Sequence, residues 1–209
     1  CKPEDVQTIK NEKGEALASL CASEAKNCGL QGSCYYAITD RSVLLSYLKS
    51  NPNAGQEKEA AYLFRVSTRN AVCPQGVGVL NICLDPYRSV AADPTYHKAG
   101  DVIFLPDMIG VVLPNLEVHD GYFVVRDSGH AIKGPDRFDF FIGFDKPNSS
   151  NIFYKLGLSD KDRPIAYYKA KPEKSEAVLL DRGFPVTHDP VAKYAIESLN
   201  LSSEKIVSK

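Results

Sequence analysis

The spacing of apolar residues differs between the amino-terminal quarter of the chain and the rest. Apolar residues within 15–26 recur every three or four positions, which predicts a short amphipathic helix. A second stripe of this kind runs from Val43 to Leu48, where Thr39 or Asp40 is placed to cap a helix and Asn51 to end it. Both stripes have the spacing of ordinary core-facing helices.

Short runs rich in β-forming residues follow, separated by glycine, proline and aspartate. They comprise residues 62–66, 78–82, 89–92, 102–105, 110–113, 121–126 and 138–144. Runs of this length and spacing, without long helices between them, are typical of a small barrel or sandwich. We expect a mainly β core over about 60–145, one more strand at 165–170, a helix at 191–201, and loose ends at 1–13 and 202–209.

Composition restricts the classes of partner. The chain has 209 residues, 44% of them hydrophobic, and a formal net charge of −1. This near-neutral balance argues against a nucleic-acid partner, because phosphate binding normally requires a basic excess. The sequence contains no apolar run long enough to span a bilayer and begins without a charged-then-apolar leader, so we expect a cytosolic or already processed chain.

Six cysteines favour an exported protein, since thiols in the cytosol stay reduced. No C-x-x-C pair is present, which favours disulfides over a zinc site. Six cysteines allow 15 connectivities, and we expect Cys28 or Cys34 to bond another cysteine within 21–83. A mature chain that begins with cysteine is typical of a bacterial lipoprotein. Cys1 could therefore carry lipid and anchor the chain to a membrane.

The densest chemistry lies in residues 126–143. Strand alternation places Phe138 and Phe140 in the core and Asp139 on the opposite face. Asp139 could form an ion pair with Arg137 or Arg126. It could also be a general acid, because adjacent apolar rings would desolvate its carboxylate and raise its pKa.

Three segments of the chain match a family pattern in order. Residues 88–93 read RSVAAD, residues 127–134 read DSGHAIKG and residues 137–143 read RFDFFIG. Together they resemble the three-aspartate domain of the membrane-bound lytic murein transglycosylase A family. Weaker matches, such as QGS at 31–33, extend the resemblance over about 31–145.

The resemblance implies a fold and a location. The fold would be mainly β, α+β overall: a six-stranded double-psi β-barrel with short flanking helices. The implied domains are a tether and helix at 1–30, the barrel at 31–150, and an extension at 151–209 that packs on the barrel and ends in a loose tail. Family members are lipid-anchored and need no metal or other cofactor. We therefore expect an exported protein of the bacterial periplasm or cell envelope, and possible attachment to the outer membrane.

The resemblance also assigns roles to residues. Asp139 is similar to the family's catalytic acid and base, Asp127 to the aspartate that supports it, and Asp93 to the first aspartate of the trio. The candidates for substrate binding are Gln31, His130, Lys133 and Arg137. His130 stands where the family has glycine and also fits an exposed loop histidine, while Asp127 also fits an ordinary turn residue.

The implied activity is cleavage of the β-1,4 bond between N-acetylmuramic acid and N-acetylglucosamine in peptidoglycan, with a 1,6-anhydro product. Two alternatives stay open. One is a glycan-binding barrel without catalysis, and the other is a hydrolase that uses water as nucleophile. The presence of both Asp127 and Asp139 in their motifs favours the transglycosylase activity over these two alternatives.

Overall fold

A computed structural model describes residues 1–38, 41–55, 59–67, 72–129, 131–143, 151–159 and 165–185. The chain divides into two compact units, residues 1–69 and 70–209. The strands are β1 Val6–Lys10, β2 Ala16–Cys21, β3 Ser33–Ile38, β4 Arg41–Ser50, β5 Tyr62–Ser67, β6 Ser89–Ala92, β7 Val102–Phe104, β8 Tyr122–Ser128, β9 Phe138–Phe140 and β10 Tyr168–Lys169. The helices are α1 Ala22–Gln31, α2 Ile152–Lys155 and α3 Pro172–Asp181. The expected sheet-dominated α+β class is confirmed. None of the described helices is both long enough and apolar enough to cross a membrane.

The first unit begins with an antiparallel hairpin of β1 and β2. The side chain of Asn11 closes its turn by accepting hydrogen bonds from the backbone N–H groups of Lys13 and Glu15, both at 2.9 Å. Gly14 in this turn has a φ of 81°, which favours glycine. The expectation of a loose end over residues 1–13 is therefore wrong, because β1 is paired along its whole length.

The rest of the first unit is a three-stranded antiparallel sheet, in the order β3-β4-β5, with α1 packed against its strands. Its core contains Ile9, Leu45 and Phe64, which are 0 to 1% exposed. The predicted helix over Val43–Leu48 is wrong, since these residues lie in β4. Strand pairing on both sides of β4 satisfies its backbone, and this tertiary pairing overrides the helical spacing. The predicted helix over 15–26 begins only at Ala22, after β2.

Three disulfides connect all six cysteines: Cys1–Cys21, Cys28–Cys34 and Cys73–Cys83. The second of these confirms the expected bond of Cys28 or Cys34 within residues 21–83. The first uses the sulfur of Cys1, and a sulfur in this bond has no thiol left for a thioether link. Lipid on Cys1 would require this bond to be absent, and it stays a prediction.

The second unit contains a five-stranded sheet in the order β10-β7-β8-β6-β9. Only the β6/β8 pair is parallel, and the other pairs are antiparallel. One face of this sheet packs on a core that includes Val90, Ile103 and Phe123, each 0% exposed, together with Phe153 of α2. The opposite face is covered in part by α3, whose Val178 packs against Val102 and Val124. The six-stranded double-psi barrel stays a prediction, because the described part of this sheet has five strands.

Most of the predicted β runs of the second unit are strands. Residues 78–82 instead form a short 3-10 turn, Val79–Asn81, and 110–113 belongs to a hairpin joined by a single bridge between Val112 and Val118. The run 165–170 contains only the two-residue β10. The predicted helix at 191–201 and the predicted domain border at residue 150 lie outside the described residues.

Candidate active site

Strand β6 lies between the two aspartates of the sequence motifs. In the register of the sheet, Ala91 pairs with Asp127 of β8 on one side and with Asp139 of β9 on the other. Residues that pair directly across neighbouring strands project to the same face of a sheet. Two strand spacings of about 4.8 Å place the Cα atoms of Asp127 and Asp139 roughly 10 Å apart. In this row, the small methyl group of Ala91 lies between the two aspartates.

A shift of register places Asp127 on this face. Val90 pairs with Val125, whereas the next residue, Ala91, pairs with Asp127, so Arg126 is the extra residue on β8. Regular alternation would send Asp127 to the same face as Val125, which is 2% exposed and in the core. An irregularity of this type redirects the side chains that follow it. Here it turns the carboxyl group of Asp127 toward the face that carries Asp139.

Asp139 lies in the middle of β9 and its side chain is exposed. Its neighbours Phe138 and Phe140 belong to the core on the opposite face, which confirms the predicted alternation. The rings of Phe138 and Phe140 therefore point away from the Asp139 side chain. The alternative of an ion pair with Arg126 or Arg137 is not seen within the described residues.

Asp127, unlike Asp139, is half-buried. Burial raises the pKa of its carboxyl group above the ordinary value, while the approach of the backbone N–H groups of Ser128 and Val79 acts in the opposite direction. Gly78 also lies against this part of β8. A Cβ atom at Gly78 would lie 2.1 Å from the Arg126 carbonyl oxygen and 3.0 Å from the Asp127 Cβ.

Asp93 follows directly after β6 and is buried, with 3% of its surface exposed. Its carboxylate accepts hydrogen bonds at 3.0 Å from the backbone N–H groups of Thr95 and Gly134. These bonds lower the pKa of Asp93, and the nearby positive charge of Lys133 lowers it further. Gly134 has a φ of 101° and belongs to the segment between β8 and β9. Asp93 therefore holds the loop that connects the two strands carrying Asp127 and Asp139.

A buried histidine fixes the same loop at a second point. His97 is 2% exposed, and its Nε2 lies 2.7 Å from the carbonyl oxygen of Pro135. A carbonyl oxygen can only accept a hydrogen bond, so Nε2 carries the proton. The ring packs against Phe138 and Tyr167, with centroid distances of 5.1 and 5.4 Å. The sequence did not single out His97 for this task.

The four residues predicted to bind substrate lie in different parts of the chain. Lys133 is exposed and Arg137 half-buried, and both lie in the segment that joins β8 to β9. Gln31 is an exposed residue of the first unit, at the end of α1. His130 lies outside the described residues.

Sequence reasoning missed Ala91 and the loop that contains Gly78 and Val79. The small residue Ala91 in the first motif and a glycine-containing stretch bounded by cysteines were the available signals. Neither shows the pairing with Asp127, since that pairing depends on the register between strands.

The arrangement provides two carboxyl groups on one sheet face with different access to water. The sheltered group favours its protonated form, and the open group can meet a ligand that lies along the strand ends. Such a pair can exchange protons with an oxygen atom placed above Ala91.

Part of the chain is similar to a known protein family and to solved structures. Residues 88–151 match the model of the 3D domain family, a segment that contains all three aspartates. No curated protein matches the chain. Among solved structures, MltA of E. coli with bound chitohexaose is 17% identical, with a TM-score of 0.46, over 68% of this chain and 60% of that one.

Two further solved structures are similar in part. A membrane-bound lytic murein transglycosylase from Agrobacterium tumefaciens is 15% identical, with a TM-score of 0.46, over 84% of this chain and 60% of that chain. The lytic transglycosylase LtgG of Burkholderia pseudomallei is 22% identical, with a TM-score of 0.37, over 63% and 50%. This chain thus spans 60% or less of the length of these three structures.

Proposed function

We propose that the protein is a lytic transglycosylase of peptidoglycan, because residues 88–151 match the model of the 3D domain family and carry the three aspartates of the motifs. Its substrate would be the β-1,4 bond between N-acetylmuramic acid and N-acetylglucosamine. The location would be the bacterial cell envelope, with no cofactor, and the second unit would complete a double-psi barrel. The observation that carries this proposal is the placement of Asp127 and Asp139 on one sheet face, on either side of Ala91.

In the proposed reaction, Asp139 is the single acid and base. Its carboxyl group protonates the glycosidic oxygen, and the bond from this oxygen to the anomeric carbon breaks. The C6 hydroxyl group of the same muramic acid residue then bonds to the anomeric carbon and returns its proton to the Asp139 carboxylate. The products are a 1,6-anhydro sugar and a free 4-hydroxyl group, so no water is consumed.

An attacking group that belongs to the substrate reduces what the protein must supply. Well-oriented intramolecular reactions reach effective molarities of about 10⁵ M or more, so no protein nucleophile is needed. Asp139 is exposed in the free protein, and a glycan lying over β9 would remove water from its carboxyl group. Exclusion of water would strengthen the hydrogen bond between this carboxyl group and the glycosidic oxygen.

Asp127 would support Asp139 from the other side of Ala91. Burial raises the pKa of Asp127, and its carboxyl group can hydrogen-bond a sugar hydroxyl group. Asp93 would act indirectly, because it holds the β8–β9 loop through Gly134. Lys133, Arg137 and His130 would contact sugar hydroxyl or stem-peptide carboxylate groups.

The test is digestion of purified sacculi by the full chain, with the released muropeptides identified by mass spectrometry. We expect products that end in a 1,6-anhydro sugar and are one water lighter than hydrolytic products. Release of no muropeptide, together with retention of the protein on sacculi, would replace the proposal with the glycan-binding alternative.

Hydrolysis is the second candidate, and the placement of the two aspartates two strands apart supports it. Inverting glycosidases hold their two carboxyl groups about 6.5–9.5 Å apart to make room for a water molecule. Side chains on Cα atoms roughly 10 Å apart can reach this range. Digestion in H₂¹⁸O separates the two reactions: a hydrolase places ¹⁸O at the new reducing end, whereas the intramolecular reaction places none.

A further inference from the structure

The segment closed by the Cys73–Cys83 disulfide, called here the 73–83 loop, lies beside the site but belongs to none of the family motifs. It is folded on itself. The backbone N–H of Gly78 donates to the Ile82 carbonyl at 2.8 Å, and Val77 and Cys83 form an antiparallel bridge. The disulfide joins residues ten positions apart. A short loop with this many constraints can hold a neighbouring group in place at little entropic cost.

The 73–83 loop contacts β8 on both sides of the Arg126–Asp127 peptide bond. Arg126 is 2% exposed, and its Nη1 donates a hydrogen bond of 2.7 Å to the Cys83 carbonyl oxygen. The backbone N–H of Val79 approaches the Asp127 carboxyl group. β7 pairs with β8 only as far as Val124, so the loop lies against the part of β8 that this neighbour does not cover.

Gly78 is the point of closest approach. Its φ of −95° is negative, so the left-handed conformations that favour glycine are not the reason for a glycine here. The reason is space, because a Cβ atom would lie 2.1 Å from the Arg126 carbonyl oxygen. Any larger residue would separate the loop from β8.

We propose that the 73–83 loop, locked by the Cys73–Cys83 disulfide, is a positioning element that shelters and orients the carboxyl group of Asp127. The catalytic role of the loop rests on the proposed function. The effect of the loop on the Asp127 carboxyl group can be measured without turnover. The loop shelters Asp127 from water, and the sheltered carboxyl group keeps its proton at a higher pH than an open one.

The first experiment is a ¹³C NMR titration of the Asp127 carboxyl group in the full chain. In the Cys73→Ser/Cys83→Ser variant, we expect its pKa to fall toward the ordinary aspartate value, because burial is the larger influence and would be lost. The matched control is Cys1→Ser/Cys21→Ser, which removes a disulfide of the first unit and should leave the Asp127 titration unchanged. An Asp127 pKa equal to that of the unmodified protein in the loop variant would overturn the proposal.

A second variant covers the case in which loss of the disulfide prevents folding. Gly78→Ala keeps the disulfide but forces the loop away from the Arg126 carbonyl, and we expect the Asp127 pKa to move in the same direction. An unchanged titration in this folded variant would also overturn the proposal.

The activity readout distinguishes positioning from general destabilisation. With sacculi as substrate at a temperature where all variants are folded, we expect kcat to fall by up to about tenfold in both loop variants, no more than on loss of the Asp127 carboxyl group itself, with KM nearly unchanged. The acid limb of the pH profile should shift as well, whereas the Cys1→Ser/Cys21→Ser control should show neither change. If the unmodified protein releases nothing, the proposed function fails, and the NMR titration still decides whether the loop positions Asp127.

Discussion

The two sides of β6 place an aspartate at the same register position but in different surroundings. On the β8 side, Asp127 is half-buried beside the 73–83 loop, and burial raises its pKa. On the β9 side, Asp139 is exposed, and its aromatic neighbours face the core. The protein thus shelters one carboxyl group in advance and leaves the other to be covered by its ligand. The open group is therefore the one that a bound glycan would remove from water.

The largest expected effect is that of replacing the exposed aspartate, Asp139. Asp139→Asn keeps the shape of the side chain but removes the transferable proton, so we expect the release of muropeptides to fall by about 10³-fold or more. Because Asp139 is exposed, the Tm should stay nearly unchanged. The measurement is product release by mass spectrometry beside a thermal melt. Glu176→Gln, an exposed carboxyl change on α3, is the control, and equal release by both variants would remove Asp139 from the mechanism.

The next largest effect is expected at Ala91, which lies between Asp127 and Asp139 on the sheet face. Ala91→Leu would fill the face between Asp127 and Asp139 and prevent a sugar from lying across both. We expect kcat/KM to fall by about 100-fold, mainly through KM, while Ala91→Ser should lose far less. Steady-state kinetics on a soluble glycan fragment measures this. An unaltered KM in the Ala91→Leu variant would show that the substrate does not cross this row of residues.

A smaller loss of activity is expected on the sheltered side. Asp127→Asn should lower kcat by about tenfold, since the amide can still bond a sugar. The folded-state pKa of Asp127 is raised, so its contribution to stability is present below the ordinary value and is lost as pH rises through the folded value. At pH 7 the substitution removes a half-buried charge, and the Tm should rise. A lower Tm at pH 7 would contradict the sheltered state of this carboxyl group.

The smallest effect on activity is expected at Asp93, which touches the loop rather than the row of aspartates. The pKa of Asp93 is lowered, so its contribution to stability is present above the ordinary value near 3.8 and is lost as pH falls through the lower folded value. We expect Asp93→Asn to lose activity only a few-fold and to show a weaker fall of Tm below pH 4. Melts between pH 2 and pH 6 measure the slope, and identical slopes in both proteins would contradict the bonds to Thr95 and Gly134.

The sequence was sufficient where a local pattern determines the outcome. Alternation along 138–140 correctly placed Asp139 on the non-core face, because both phenylalanines have a large apolar surface to bury. The β-rich texture of the second unit was also predictable from composition and turn residues. In contrast, the stripe Val43–Leu48 fits helical spacing as well as a strand, and only the pairing of β4 with two neighbours decides between them.

The features that long-range contacts create were not predictable. The register shift that turns Asp127 toward Asp139 depends on how β8 pairs with β6, and no local pattern reports it. The shelter of Asp127 comes from the 73–83 loop, which lies far earlier in the chain. The helix α3 was also missed, although Pro172 at its first turn and Glu173 beside it are typical of a helix start.

The most direct test of the central claim is a crystal structure of the Asp139→Asn variant with a peptidoglycan glycan fragment bound. We expect the bond between N-acetylmuramic acid and N-acetylglucosamine to lie above Ala91. Its glycosidic oxygen should be within about 3.2 Å of the amide of residue 139, and a neighbouring sugar should face Asp127. A fragment bound on another face of the sheet, with its glycosidic bonds remote from both aspartate positions, would contradict the account.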